Sequence, residues 1–219
     1  MQRTTSRSLL AKGAICGTFS DAVPVSAFAL RFGRDEEIYG QQEPAQYLYK
    51  VVSGAVRTYT ITEDGRRQID AFHLPGDVFG FESGAAHRYA AEAIVESEVI
   101  AAARSAIERA AEQSGAAARE LWSLTARQLG RVCDHALVLG RKGAAERVVS
   151  FLLDMATRQT PGAAVTLPMS RTDIADYLGL TIETVSRCFS KLAGERAITL
   201  AGARCVTFRD RRALEAMAA

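Results

Sequence analysis

Residues 170–193 read SRTDIADYLGLTIETVSRCFSKLA, and this stretch limits the fold more sharply than any other. Ser170 is a good N-cap, and Asp173 follows in the acidic first turn, so a helix should begin here. It should run to about Leu178 and end at Gly179, whose backbone tolerates the conformation a sharp turn needs. Thr181 then caps a second helix with Glu183 and Thr184 in its first turn. Two short helices joined by a three-residue turn form a helix-turn-helix. Ala175 is small where the helices cross, and Val185 plugs the angle between them. Ile174, Leu178, Leu180, Phe189 and Leu192 complete one apolar face. Glu183, Ser186 and Arg187 lie at i, i+3 and i+4, together on the opposite face.

An acid, a hydroxyl and an arginine near a helix N-terminus suit a side that reads base edges in the major groove. Taken alone, the triplet equally fits a solvated Glu183–Arg187 pair, which contributes about 0.2–0.5 kcal/mol. Its setting inside a helix-turn-helix favours DNA reading. Beyond it, residues 197–200 and 204–208 form two strands around Ala201-Gly202, a β wing. Arg204, Arg209, Arg211 and Arg212 lie in or past this wing, either as a solvated basic tail or as phosphate contacts. Both readings stand at this stage.

The rest of the chain is ordinary in bulk. It has 219 residues, 48% of them hydrophobic and 24% charged, which excludes a wholly disordered or collagen-like chain. Its apolar runs fall far short of the ~20 residues of a bilayer span. Arg3, Arg7 and Lys12 precede no apolar run of signal-peptide length, so a cytoplasmic protein without membrane contact is expected. Cys16, Cys133, Cys188 and Cys205 are too scattered for a disulfide framework or a zinc site. Net charge is +2, so nucleic-acid binding must come from local placement of charge. No Gly-rich phosphate loop, metal-spaced His/Glu cluster or Ser/His/Asp constellation is present, which argues against an enzyme.

Four parts are expected: a loose lead-in (1–27), a β-roll (28–113), a long helix (114–141) and the winged helix-turn-helix (142–219). The roll rests on short strands at 47–52, 55–62, 68–74 and 91–103. Asp64-Gly65 gives a hairpin signal, and Pro75-Gly76-Asp77 a turn. In the long helix, capped by Ser114, the residues Trp122, Thr125, Leu129, Val132, Ala136 and Leu139 repeat at spacings of 3 and 4. That is an a/d seam, with Leu121, Leu124 and Leu137 as a second apolar face. A helix wedged between its own domain and a twin explains both faces. An ordinary amphipathic helix on its own domain explains one. Gly140 to Gly143 reads as a hinge, 144–159 as a helix stopped by Pro161-Gly162, and 165–169 as a short strand.

In these features the chain resembles the Crp/Fnr family of bacterial transcription regulators. The likeness rests on Tyr49-x-Val51-x-x-Gly54-x-Val56, on Asp64-Gly65-Arg66 and on Leu74-Pro75-Gly76-Asp77-Val78-Phe79-Gly80. It rests above all on Arg171-x-Asp173-Ile174-Ala175, continuing through Leu178-Gly179-Leu180-Thr181-x-Glu183-Thr184-Val185-Ser186-Arg187. Glu-x-x-Ser-Arg resembles the Fnr and FixK branches. Crp-type readers carry Arg before the Glu, where Ile182 stands here, and Gly in place of Ser186. The resemblance implies an α+β fold: a cyclic-nucleotide-binding-like roll, a dimerisation helix and a winged helix-turn-helix. It implies a homodimer on TTGA/TCAA palindromes, with RNA polymerase as partner and activation as output, in oxygen-limited or nitrogen-fixation gene control. It places base contacts at Glu183, Ser186 and Arg187, and phosphate contacts at Ser170, Arg171, Thr181 and Thr184.

Nucleotide binders of this family carry a Gly-Glu cassette and a later Arg-Ser or Arg-Thr pair. Here Phe81 stands at the cassette acid and Tyr89 at the hydroxyl, while Arg88 is kept. Two bulky aromatics spoil a phosphate cradle. An iron–sulfur cluster needs four thiolates, and the roll holds no cysteine between Phe28 and Ala103. His73, His87 and His135 are single histidines without a haem context. The resemblance therefore points to a FixK-like regulator with no cofactor; the alternative is a Crp-type regulator binding a small ligand in an altered pocket. Cys188, next to Arg187, is either a small packed cysteine or a redox brake. In the second case Arg187 and Lys191 should favour its thiolate.

Overall fold

A computed structural model describes residues 14–159 and 164–218, with side chains from residue 19 onward; the stop signal at Pro161-Gly162 lies outside them. The chain divides into two compact units, Met1–Leu129 and Gly130–Ala219. The boundary falls inside a long helix.

The first unit is a roll of two sheets. Its strands are β1 (Ala14–Thr18), β2 (Ser26–Phe32), β3 (Glu37–Tyr39), β4 (Tyr47–Ser53), β5 (Val56–Ile61), β6 (Arg67–His73), β7 (Val78–Phe79), β8 (Ala90–Ala93) and β9 (Ser97–Ala103). One sheet has the order β1-β2-β9-β4-β7 and the other β3-β8-β5-β6. Alternation sorts the side chains. Tyr49 and Val51 of β4, Phe79 of β7 and Val99 and Ala101 of β9 point inward. There they meet Ile38 and Tyr39 of β3, Val56 of β5 and Ala91 and Ala93 of β8. Their neighbours Leu48, Val78 and Ala102 point the other way, against Ile107 and Ala117. Those two residues belong to α1 (Arg104–Gln113) and α2 (Gly115–Arg141), which cover that side.

Two local devices close the roll. The Asp64-Gly65 hairpin forms as expected, with Gly65 at φ 79° and Thr62 N donating to Arg66 O at 2.8 Å. Gly54, at φ 83°, leaves room for Ser97, whose hydroxyl accepts from Ala55 N at 3.0 Å; a Cβ there would overlap Ser97 and the Glu96 carbonyl. The buried Arg57 guanidinium bridges Asp35 at 3.1 Å and Glu92 at 2.8 Å, so its charge is paired on both sides.

The second unit holds the end of α2, then α3 (Ala144–Thr157), β10 (Ala164–Thr166), α4 (Arg171–Leu178), α5 (Ile182–Gly194), β11 (Ile198–Ala201), β12 (Cys205–Phe208) and α6 (Arg211–Ala218). Its core combines Val148, Val149, Leu152 and Met155 of α3 with Ile174, Val185, Phe189, Leu192 and Leu214. The wing is three-stranded, β10-β12-β11.

Several expectations change. The lead-in is not wholly loose: β1 pairs with β2 from Ala14↔Ala29 to Thr18↔Ser26. The 91–103 strand is two strands, β8 and β9. Helix α1 gave no periodic signal because its one buried anchor, Ile107, sits among alanines and charges. The basic tail is helix α6, with Leu214 buried and Arg211 paired to Glu215 at 2.8 Å. Leu121 and Leu124 pack on the roll core as expected, but Leu137 is 57% exposed.

The buried His87 ring stacks on Tyr39 with centroids 3.6 Å apart. Burial holds its pKa below the usual value, although Glu82 pulls the other way. A histidine lowered in the folded state contributes stability that is present above its unfolded pKa of about 6.5 and is lost as pH falls below it. The denaturation midpoint should therefore drop between pH 7 and pH 5.5. His87→Phe should shrink that drop, and His135, which burial also lowers, contributes to what remains.

Candidate nucleic-acid interface

The capping chemistry read from the sequence is present atom by atom. Ser170 Oγ accepts from Asp173 N at 3.1 Å, and Asp173 Oδ2 accepts from Ser170 N at 2.9 Å. Helix α4 ends at Gly179 in the left-handed region, φ 62° and ψ 40°. Thr181 Oγ1 accepts from Thr184 N at 3.3 Å and starts α5. Val185 is fully buried and Ala175 nearly so, as a plug and a close crossing require.

Glu183, Ser186 and Arg187 are all exposed, on the side of α5 opposite Val185, Phe189 and Leu192. The Glu183 carboxyl lies below the usual carboxylate range. Its own backbone N–H and the Thr181 hydroxyl donate to it, and Arg187 adds a favourable charge. It is thus a pure acceptor at neutral pH. Arg187 is anchored lightly: Nη2 donates to Thr184 Oγ1 at 3.3 Å, which leaves most of its fork free. One face therefore offers an acceptor, a hydroxyl and a bidentate donor within two turns.

The four expected phosphate contacts separate into two pairs. Thr181 is exposed, and Thr184, half-buried, shares its hydroxyl bond at 3.1 Å. Ser170 spends its hydroxyl proton on Asp173 Oδ2 at 2.8 Å. Arg171 lies over the Phe189 ring, 3.2 Å from its centroid, and burial brings its pKa down to about 10. Both are held by the fold of the unit, because each satisfies a partner there. Around the wing, Arg209 donates to Thr199 Oγ1 at 2.8 Å, Arg204 is half-buried and Arg212 is exposed.

Of the two readings of Cys188, the surroundings favour the packed cysteine. It is half-buried, and desolvation pushes its thiol up, outweighing Arg187 and Lys191. A raised thiol does not favour the thiolate that a redox brake needs. The geometry matches the packed cysteine instead.

Along α2 the seam residues are bare. Trp122 is 76% exposed, Leu129 61% and Val132 49%; Thr125 and Ala136 are also exposed and Leu139 is half-buried. Thr125 returns its hydroxyl to Leu121 O at 2.9 Å, so it offers only its methyl. A run of large apolar side chains left open on a helix marks an interaction surface.

The roll's nucleotide cradle is altered in a way the sequence did not reveal. Phe81 packs toward the cluster around Ile107. The carboxylate one residue later, Glu82, accepts from Arg88 N at 2.9 Å and from Arg88 Nε at 3.3 Å. Tyr89 bonds the Asp70 carboxyl. Glu82 and Asp70 thus take up hydrogen-bonding groups beside the altered cassette, while the Arg88 side chain stays 71% exposed. The only sequence signal was an acid six positions before Arg88. Among the described residues no cluster of three or more His, Cys, Asp or Glu is placed to hold a metal ion.

Two capped helices meeting at a left-handed glycine, backed by a wing, define a winged helix-turn-helix protein. Comparison with known proteins narrows this. A Crp-like helix-turn-helix domain matches residues 146–217, and a cyclic nucleotide-binding domain matches 29–114. The chain is 49% identical over 188 residues to the nitrogen fixation regulation protein FixK of Azorhizobium caulinodans, covering 84% of this chain and 76% of that one. It is 30% identical over 175 residues to the fumarate and nitrate reduction regulatory protein of Vibrio cholerae, covering 77% and 70%. The solved structure of FixK2 from Bradyrhizobium japonicum superimposes with a TM-score of 0.85 at 52% identity, covering 88% of this chain and 98% of that one. The chain belongs to the Crp/Fnr family of DNA-binding transcription regulators, and its relatives include the FixK proteins.

Ser170→Ala removes an N-cap acceptor and leaves Asp173 one donor short. It should cost about 0.5–2 kcal/mol, read as a lower denaturant midpoint of the second unit.

Proposed function

We propose that the chain acts as a homodimer on palindromic operators with TTGA-type half-sites, inverted as TCAA, with neither cyclic nucleotide nor iron–sulfur cluster bound. The observation that carries this reading is the exposed Glu183, Ser186 and Arg187 face of α5. Arg187 donates to guanine O6 and N7, the Glu183 carboxylate accepts from a cytosine amino group, and Ser186 lies against a thymine methyl. Thr181 and Thr184 face the phosphates; Ser170 and Arg171 serve mainly to hold α4 and α5. A second copy covers the Trp122, Thr125, Leu129, Val132, Ala136 and Leu139 seam, and a two-fold axis there sets the half-sites about one helical turn apart. RNA polymerase is the downstream partner, and the similarity to FixK supports control of nitrogen-fixation or oxygen-limited genes. Effector independence is supported by Glu82, which already holds Arg88.

Purified protein, in air and without added effector, should bind the palindrome more tightly than a scrambled duplex of equal length. Arg187→Ala should cost about 1–3 kcal/mol and relax preference at the guanine. Equal affinity of the wild type for both duplexes sinks this assignment, and a requirement for cAMP or cGMP moves the protein to the Crp-type reading.

Leu129→Glu tests the seam by burying an unpaired carboxylate in it. Sedimentation should show monomers, with operator affinity lost at the same time. A variant that stays dimeric places the interface elsewhere.

A further inference from the structure

Arg147 lies on α3, away from the reading face, and its guanidinium binds three backbone carbonyls. Nη2 donates to Leu139 O at 2.8 Å, Nε to Lys142 O at 2.9 Å and Nη1 to Leu178 O at 3.1 Å. Leu139 is in the last turn of α2, and Leu178 is the last residue of α4. Carbonyls at such positions lack an intrahelical donor, and a cation is favoured beside them. A planar fork reaches all three carbonyls at once; a lysine ammonium does not share that geometry. A second link spans the same junction. His135 of α2 stacks on Tyr177 of α4 with centroids 3.9 Å apart and planes at 10°, and Tyr177 meets Phe151 of α3 at 5.9 Å.

This junction has the seam on one side and the reading helix on the other. Val132, Ala136 and Leu139 of the seam sit on the same closing turns of α2. Leu178 leads directly into the Gly179 turn, and α5 begins at Ile182. We infer that Arg147, together with the His135–Tyr177 stack, is a positioning device that fixes each reading helix against the dimer seam and so makes the protein selective for half-site spacing. Arg147 touches no base in this scheme. It acts through where α4 and α5 are held, and the inference rests on the homodimer reading above.

The test uses the full chain and fluorescence anisotropy on three duplexes: the palindrome at the spacing wild type binds best, the same palindrome with one base pair inserted at its centre, and a single half-site. Arg147→Lys keeps the charge and cuts the fork. The affinity ratio between the first two duplexes should fall about tenfold, while half-site affinity is unchanged. An unchanged ratio, or an equal loss on all three duplexes, overturns the inference. His135→Ala removes the second link without touching Arg147 and keeps the question open to refutation if Arg147→Lys does not fold. It should lower the ratio in the same direction, and an unchanged ratio there also overturns the inference. A wild type that does not distinguish palindrome from scrambled DNA overturns the homodimer reading and this inference with it, and that failure shows before any substitution is made.

Discussion

The reversal of the chain at Gly179 governs the DNA-binding unit. At φ 62° the backbone turns sharply enough that Ala175 O accepts from both Gly179 N and Leu180 N. A residue with a Cβ is strained in that conformation. With the turn set, Val185 drops into the crossing beside Ala175, and Phe189 and Leu192 follow on the same side of α5. The opposite side is then committed to solvent, which is where Glu183, Ser186 and Arg187 emerge. The Arg171 guanidinium over Phe189 closes the packing from α4, so the two helices are joined by a cation on an aromatic ring as well as by apolar burial.

Charge works locally in this molecule. A net charge of +2 gives no long-range field to attract a polyanion. Cations near the helix-turn-helix are placed locally. Arg187 is exposed on α5, and Arg209 and Arg212 are exposed near the wing and α6. Two other arginines are spent inside the protein: Arg57 between two carboxylates and Arg147 on three carbonyls. The Cys188 thiol shows the same competition between charge and burial, and there burial prevails.

In the roll, a family scaffold carries cradle residues that pair with one another. A cyclic nucleotide-binding domain matches residues 29–114, the stretch that holds the Gly54 contact with Ser97 and the hairpin at Gly65. Within it, the Glu82 carboxylate accepts from Arg88 N and Nε. Tyr89 and Asp70 pair with each other nearby. The core from Leu30 to Ala101 is apolar packing that includes none of these four residues.

Local chemistry was legible along the chain. Ser170, Asp173, Gly179 and Thr181 announced both helices of the reader, because caps and left-handed glycines act over three or four residues. The Asp64-Gly65 hairpin and the spacing of Trp122 to Leu139 were legible for the same reason. Strand β1 and helix α1 were not, since each carries little periodicity of its own, and the Ile107 anchor of α1 packs on residues distant in sequence. Glu82 and Arg88 are six residues apart, yet only the path of the folded loop turns one toward the other. Arg147 looked like any helical arginine, and the Cys188 thiol looked accessible to two cations. Where a guanidinium finds its carbonyls, and how much water a thiol loses, depends on elements brought together from across the chain, so tertiary packing alone decided both.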